Sequence, residues 1–173
     1  PTVHNEINNN SVISNISGQI VDSKTLANHI ALSKAINDYS LNRVITFHGR
    51  VKGAEDFASN HLQITKHLNV EILADKANVV GIKTGFVSGD MTTKDRTKQL
   101  NKLREIKGNE VSILSNARCL SEGVDVPNLD AVAFIDPRKS VVDIIQSVGR
   151  AIRKANNKTH GYIILPVFLG DCE

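Results

Sequence analysis

Aromatic side chains make up only 4% of the 173 residues, and cysteine occurs twice. Cys119 and Cys172 have no partner spacing for a zinc site, so they are expected to remain thiols in a reducing cytoplasm. No apolar run is long enough to span a bilayer, and no segment resembles a secretory signal. A phosphate-cradling P-loop needs glycines and a lysine at fixed offsets. Lys83 and Thr84 would supply its end, but Ala77 and Ile82 stand at the glycine positions, so the match fails. No acidic sequence of the kind that holds magnesium is present, and the histidines show neither metal-ligand spacing nor a Ser-His-Asp or Cys-His constellation. No metal site is therefore expected. The chain therefore lacks the half of a nucleoside triphosphatase that binds the nucleotide tightly, and it is expected to be inactive by itself.

What is present is an aliphatic chain, 40% hydrophobic, with a net charge of +3. That length suits one domain burying about two-thirds of its unfolded surface. The charge is a mild basic bias, compatible with nucleic acid without amounting to a basic arm. Its most informative stretch is QSVGRAIR, residues 146–153. On a helix Gln146, Arg150 and Arg153 share one stripe, while Val141, Ile144, Ile145, Val148 and Ile152 lie on the opposite side. Two guanidinium forks and an amide on one face suit an oxyanion, since the fork matches phosphate geometry and stays charged. The competing reading is a solvated polar face, which most such stripes are.

The rest of the chain alternates between strand and helix. Residues 1–22, rich in Asn and Ser, read as an irregular linker, and residues 23–173 as the folded domain. Helical spacing runs from Lys24 to Tyr39, RVITFH reads as a buried strand, and a helix follows around Ala54 to His67. A strand ends at Gly89. Thr92 and Asp95 approximate a capping box for a helix ending near Gly108. Strands at 110–115, 130–135 and 161–167 complete the order, with Val70 to Asn78 ambiguous between strand and helix. Such alternation predicts an α/β fold: a mostly parallel sheet with helices on both faces.

Taken in order, four segments resemble the motifs of superfamily-two helicases and translocases. VITFHGRVKGAEDFA is similar to motif IV, and VSGDMTTKDRTKQLNKLRE to the segment before motif V, with Gly89 and Arg96 in place. SEGVDVP and QSVGRAIR resemble motifs V and VI. The run EGVDVPNLDAVAFIDPRKSVVDIIQSVGRAIRKA is similar to the motor subunits of restriction enzymes and related bacterial helicases. The resemblance covers nearly the whole chain and implies the C-terminal one of two RecA-like domains. The chain opens on Pro1 rather than methionine, which suggests a piece of a longer protein.

That resemblance implies a set of roles. ATP and Mg2+ would be held mainly by an N-terminal RecA-like domain of the same parent protein. Arg150 and Arg153 would reach the γ-phosphate across the cleft, with Arg153 the arginine finger and Gln146 orienting water or a phosphate oxygen. Gly123 would allow close backbone approach, and Asp125 would contact the ribose or couple the nucleotide to motif VI. Read as ordinary structure, these two are a turn glycine and a capping aspartate. For nucleic acid, Ser115 and Asn116 stand near the position of a family threonine that this chain lacks. His48, Gly49 and Arg50 follow the motif IV strand, and Ser88 and Gly89 follow another at the same sheet edge. Arg138 and Lys139 are either phosphate contacts or solvated charges. The implied function is the second motor domain of an ATP-dependent DNA helicase or translocase of the restriction-modification type, cytoplasmic and inactive alone. RNA stays open beside DNA as the nucleic-acid partner, and the rival class is a non-catalytic nucleic-acid-binding or scaffold module with the same fold.

Overall fold

A computed structural model describes residues 13–16, 19–67, 81–117, 119, 129–136, 149 and 160–166. Within them run β1 (Ile13–Ile16), β2 (Gln19–Val21), α1 (Ser23–Tyr39), β3 (Arg43–His48), α2 (Val51–His67) and β4 (Ile82–Ser88). Next come α3 (Thr93–Arg104), β5 (Val111–Ala117), β6 (Ala131–Phe134) and β7 (Tyr162–Ile164). The first two strands pair antiparallel. This hairpin lies inside the stretch that reads from sequence as irregular, where isolated isoleucines among polar residues carry too little periodicity to announce a strand.

The other five strands form one sheet in the order β4-β5-β3-β6-β7, and every adjacent pair is parallel. The central strands β3, β5 and β6 are buried almost throughout, which explains why they read as continuous apolar runs. Alternate residues serve opposite faces. Val44, Ile113, Ala131 and Ala133 join Leu32, Ile36 and Phe57 on the side of α1 and α2. Ile45, Phe47, Leu114, Val132 and Phe134 join Leu100 and Leu103 on the side of α3.

Local chemistry sets the helix ends. Asp22 caps α1, its carboxylate accepting from Thr25 N–H at 2.9 Å. Ser40 ends that helix in the left-handed region at φ 52°, and the Leu41 N–H returns to the Ile36 carbonyl. Thr92 caps α3 reciprocally: its hydroxyl oxygen accepts from Asp95 N–H at 3.1 Å and its hydroxyl donates to the Asp95 carboxylate at 2.7 Å. This helix stops at Arg104, short of the expected Gly108. The intervening residues are needed for a turn in which Glu110 N–H meets the Lys107 carbonyl, with Gly108 at φ +55°.

The N-terminal edge of the sheet is tied by one side chain. The Asp130 carboxylate accepts from Asn42 N–H at 2.9 Å and Arg43 N–H at 2.8 Å. Its backbone continues the tie, with Asp130 N–H donating to the Arg43 carbonyl and Tyr162 N–H donating to the Asp130 carbonyl. Three strands therefore start from a single residue. Among the described residues no helix is long and apolar enough to cross a membrane.

Candidate nucleic-acid interface

The parallel register places the ends of three strands in one row. His48 pairs with Ala117, and Ala117 with Ser88; one step earlier Phe47, Asn116 and Val87 are level. The segments singled out for nucleic acid, at 48–50, 88–89 and 115–116, thus meet at the C-terminal edge of β3, β4 and β5. This is the edge where open parallel sheets bind ligands.

They divide sharply by exposure. Gly49, Arg50 and Gly89 are exposed. His48, Ser88, Ser115 and Asn116 are buried, at 0–3% exposure. The Ser115 hydroxyl is engaged inside the sheet, accepting from the Thr46 hydroxyl at 3.0 Å. The same Thr46 oxygen lies 2.9 Å from His48 Nε2. With Thr46 donating to Ser115, His48 is the donor to Thr46, so a short cooperative chain crosses from β3 to β5. Asn116 Oδ1 accepts from Cys119, from the backbone N–H at 3.4 Å and the thiol at 3.1 Å. Burial pushes that thiol up to about 11, so Cys119 stays protonated at neutral pH. These buried groups shape the edge. The loops that follow them carry the exposed residues of this edge.

The loop after β3 is fastened to the end of β6, where Gly49 N–H donates to the Asp136 carboxylate at 2.8 Å. That bond fixes the direction in which the next residue, Arg50, leaves the sheet. After β4, Met91 N–H donates to the Ser88 carbonyl, and the Arg96 guanidinium donates to the Met91 carbonyl at 3.2 Å. Arg96 is thereby placed beside the turn that contains Gly89.

A group that sequence spacing did not assemble lies beneath this edge. His29 from α1 and His61 from α2 meet with their Nδ1 atoms 2.8 Å apart, both fully buried. His29 stacks on Phe57 at 4.0 Å, and the ring of His48 lies 5.1 Å from the same phenylalanine. Desolvation drives the His29 pKa down to about 2 and that of His61 to about 4, so the pair is neutral, one ring donating and the other accepting. The available signal was positional: each histidine occupies the buried stripe of its helix, His29 between Leu26 and Leu32, His61 between Ala58 and Ile64. Among the described residues no group of three or more His, Cys, Asp or Glu side chains is placed to hold a metal ion.

Gln146, Arg150, Arg153, Gly123, Asp125, Arg138 and Lys139 lie outside the described residues, as does the ambiguous stretch from Val70 to Asn78.

Comparison with known proteins agrees with this architecture. Residues 27–155 match the family model described as "Helicase conserved C-terminal domain". A curated relative, the UvrABC system protein B of Micrococcus luteus, is 30% identical over 118 residues, 65% of this chain and 16% of that protein. Over 58 residues, 34% of this chain and 7% of the other, the chain is 50% identical to "Probable helicase A859L" of African swine fever virus. The chain spans less than a fifth of the length of the first curated relatives it matches, at most 18%. Among solved structures, "ATP-dependent Type ISP restriction-modification enzyme LlaBIII bound to DNA" superposes with a TM-score of 0.72 at 28% identity. That match covers 88% of this chain and 10% of the other. The all-parallel RecA-like sheet and the family match over residues 27–155 lead to one conclusion: this chain belongs to the helicase conserved C-terminal domain family.

Proposed function

We propose that this chain is the second motor domain of an ATP-dependent DNA helicase or translocase, of the kind found in restriction-modification enzymes. The observation that carries the reading is the row of candidate backbone contacts at one sheet edge, with Gly49, Arg50 and Gly89 exposed in register with one another's strands. Support also comes from the 28% identity to a restriction-modification enzyme solved on DNA. In this reading Arg50 pairs with a phosphate and the turn at Gly89 lets the backbone approach a neighbouring one, while the Gly49 N–H stays on Asp136 and holds the loop. Such contacts position a strand without reading its bases.

The catalytic share of this domain is a set of two guanidiniums and an amide: Arg150, Arg153 and Gln146. Those groups suit phosphoryl oxygens and are unfit to ligate Mg2+, which is assigned with the P-loop to a first RecA-like domain. Bound there, the metal would neutralise charge on the phosphates. Arg153 would stabilise charge on the transferring phosphoryl group, and Arg150 and Gln146 would orient it. Gly123 and Asp125 would line the nucleotide side of the same cleft.

The test uses the intact protein that carries both motor domains. Arg153→Ala is expected to lower DNA-stimulated ATP turnover by about 10³-fold or more while leaving ATP affinity within a few-fold. Arg153→Lys should fail nearly as badly, because an ammonium lacks the planar fork. Near-normal turnover in both variants, at saturating ATP, would reduce the arginine stripe to a solvated face. Stimulation by RNA in place of DNA would redirect the substrate assignment.

A further inference from the structure

Beside the strand-contact edge lies a cleft of about 570 Å³, walled by the N-terminal halves of α1 and α2 and floored by the ends of β3 and β6. Its volume is within the range of small-molecule sites, about 300–1,000 Å³. Two amides line it, Asn28 from α1 and Asn60 from α2. Asn28 is only 8% exposed, yet among the described residues neither amide makes a hydrogen bond within the protein. With no partner in the protein, and neither of them sealed off from solvent, both amides are open to the cleft and available to a ligand. Behind them lie the His29 ring stacked on Phe57 and the His48 ring, all buried, so they back the cleft as a rigid apolar wall and leave the polar contacts to the asparagines.

The charge of the walls says what belongs there. Among the described residues, Asp22, Asp56 and Asp136 line the cleft against one ammonium, Lys24. Each carboxylate already accepts a bond, from Thr25, Lys52 and the Gly49 N–H respectively, which leaves an acceptor-rich and anionic surround. A phosphate is repelled from such a place, whereas a planar neutral heterocycle with amino donors is welcome. An asparagine amide offers a donor and an acceptor side by side, which matches the edge of a base. Asp136 is also the residue that holds the loop bearing Arg50, so a strand whose phosphate sits at Arg50 has this cleft next to it.

We propose that the cleft is a subsite for one unstacked nucleobase carrying an exocyclic amine, held between Asn28 and Asn60 while its phosphates remain outside. The proposal rests on the strand-binding reading of the neighbouring edge. It adds a local base preference to contacts that otherwise address the backbone. Thymine and uracil, which present carbonyls where cytosine and adenine present amines, are disfavoured against the carboxylates.

Anisotropy titrations of the intact protein with oligo-dC and oligo-dT of equal length test it at neutral pH. These strands share weak stacking and differ at the amine. Wild type is expected to bind oligo-dC about 10-fold more tightly, the scale of one good amide–base pair. Asn28→Leu and Asn60→Leu should each bring the ratio to about one while leaving oligo-dT binding unchanged. If Asn28→Leu does not fold, Asn60→Leu on the opposite wall carries the same test. Equal affinities in wild type, with binding still lost in Arg50→Ala, would overturn the subsite and leave the strand-binding reading standing. A dC preference that survives both asparagine variants would place the base elsewhere and overturn it too. Failure to bind either strand would remove both readings. Unchanged strand binding together with weakened docking of the first motor domain in Asn28→Leu would make the cleft a protein contact, against the proposal.

Discussion

The sheet is packed on its two sides with different material. Towards α3 the packing is led by Ile45, Phe47, Leu114 and Phe134 against Leu100 and Leu103, with the Asn116–Cys119 bond as a neutral polar contact beside them. Towards α1 and α2 the same strands present Thr46, His48 and Ser115, and the helices answer with His29 and His61. One side gains stability from area removed from water, a term indifferent to pH. The other holds imidazoles that are joined to each other through Nδ1, leave both Nε2 atoms buried without a partner, and must stay neutral, so its contribution depends on the proton concentration. The cleft proposed as a base subsite lies over the second side, between α1 and α2. A site that needs defined polar directions is underlain by a core that supplies them.

Acid should separate the two sides most strongly. His29 and His61 have folded pKa values far below the unfolded 6.5, so between that value and about 4 the unfolded chain binds protons that the fold refuses. Stability is therefore full above 6.5 and is lost as pH falls below it, by about 1.4 kcal/mol per pH unit for each histidine. By about pH 5 the two together remove roughly 4 kcal/mol. Urea titrations at a series of pH values measure this, and the double substitution of both histidines by Leu should flatten the profile. A wild-type profile already flat between 7 and 5 would mean that the imidazoles are not buried neutral.

Next in size is Leu103→Ala on the apolar side. Leu103 is fully buried. Its truncation should cost about 2–5 kcal/mol. The sharper expectation is that this loss is the same at pH 7.5 and pH 5.5 in denaturant melts. A loss that varied with pH would show that the two sides are coupled through the strands.

Thr46→Val is the smallest of the three. It keeps the shape of a side chain on the polar side and removes the hydroxyl linking His48 to Ser115, leaving two buried groups short of a partner. About 1–3 kcal/mol is expected. Strand binding should weaken only slightly, because Gly49 and Arg50 are held through Asp136.

These two sides also differ in how readily they were read. The apolar alternation of RVITFH gives β3 its observed limits, Arg43–His48, and helical spacing from Lys24 to Tyr39 lies within one residue of α1. The signals there are periodic and local. The His29–His61 contact is not: it joins residues 32 apart, and neither spacing nor residue type announces which buried histidine faces which. The same holds for Ser115, whose surroundings depend on the partner strand. Sequence brings it to the C-terminal end of its strand, but only the β3–β5 register sends its hydroxyl inward to Thr46. The hairpin of β1 and β2 went unread because three- and four-residue strands are too short to show a period.

Asp130 has a mechanical consequence. Because its carboxylate and backbone join the starts of β3, β6 and β7, sliding one strand along another would break this joint together with the rungs of the ladder. The sheet therefore resists shear at the end farthest from Arg50. A load applied at the C-terminal edge has no soft joint to dissipate it there and is passed on as movement of the whole plate. For a domain proposed to push on a strand, that stiffness turns a contact at a loop into displacement of a body.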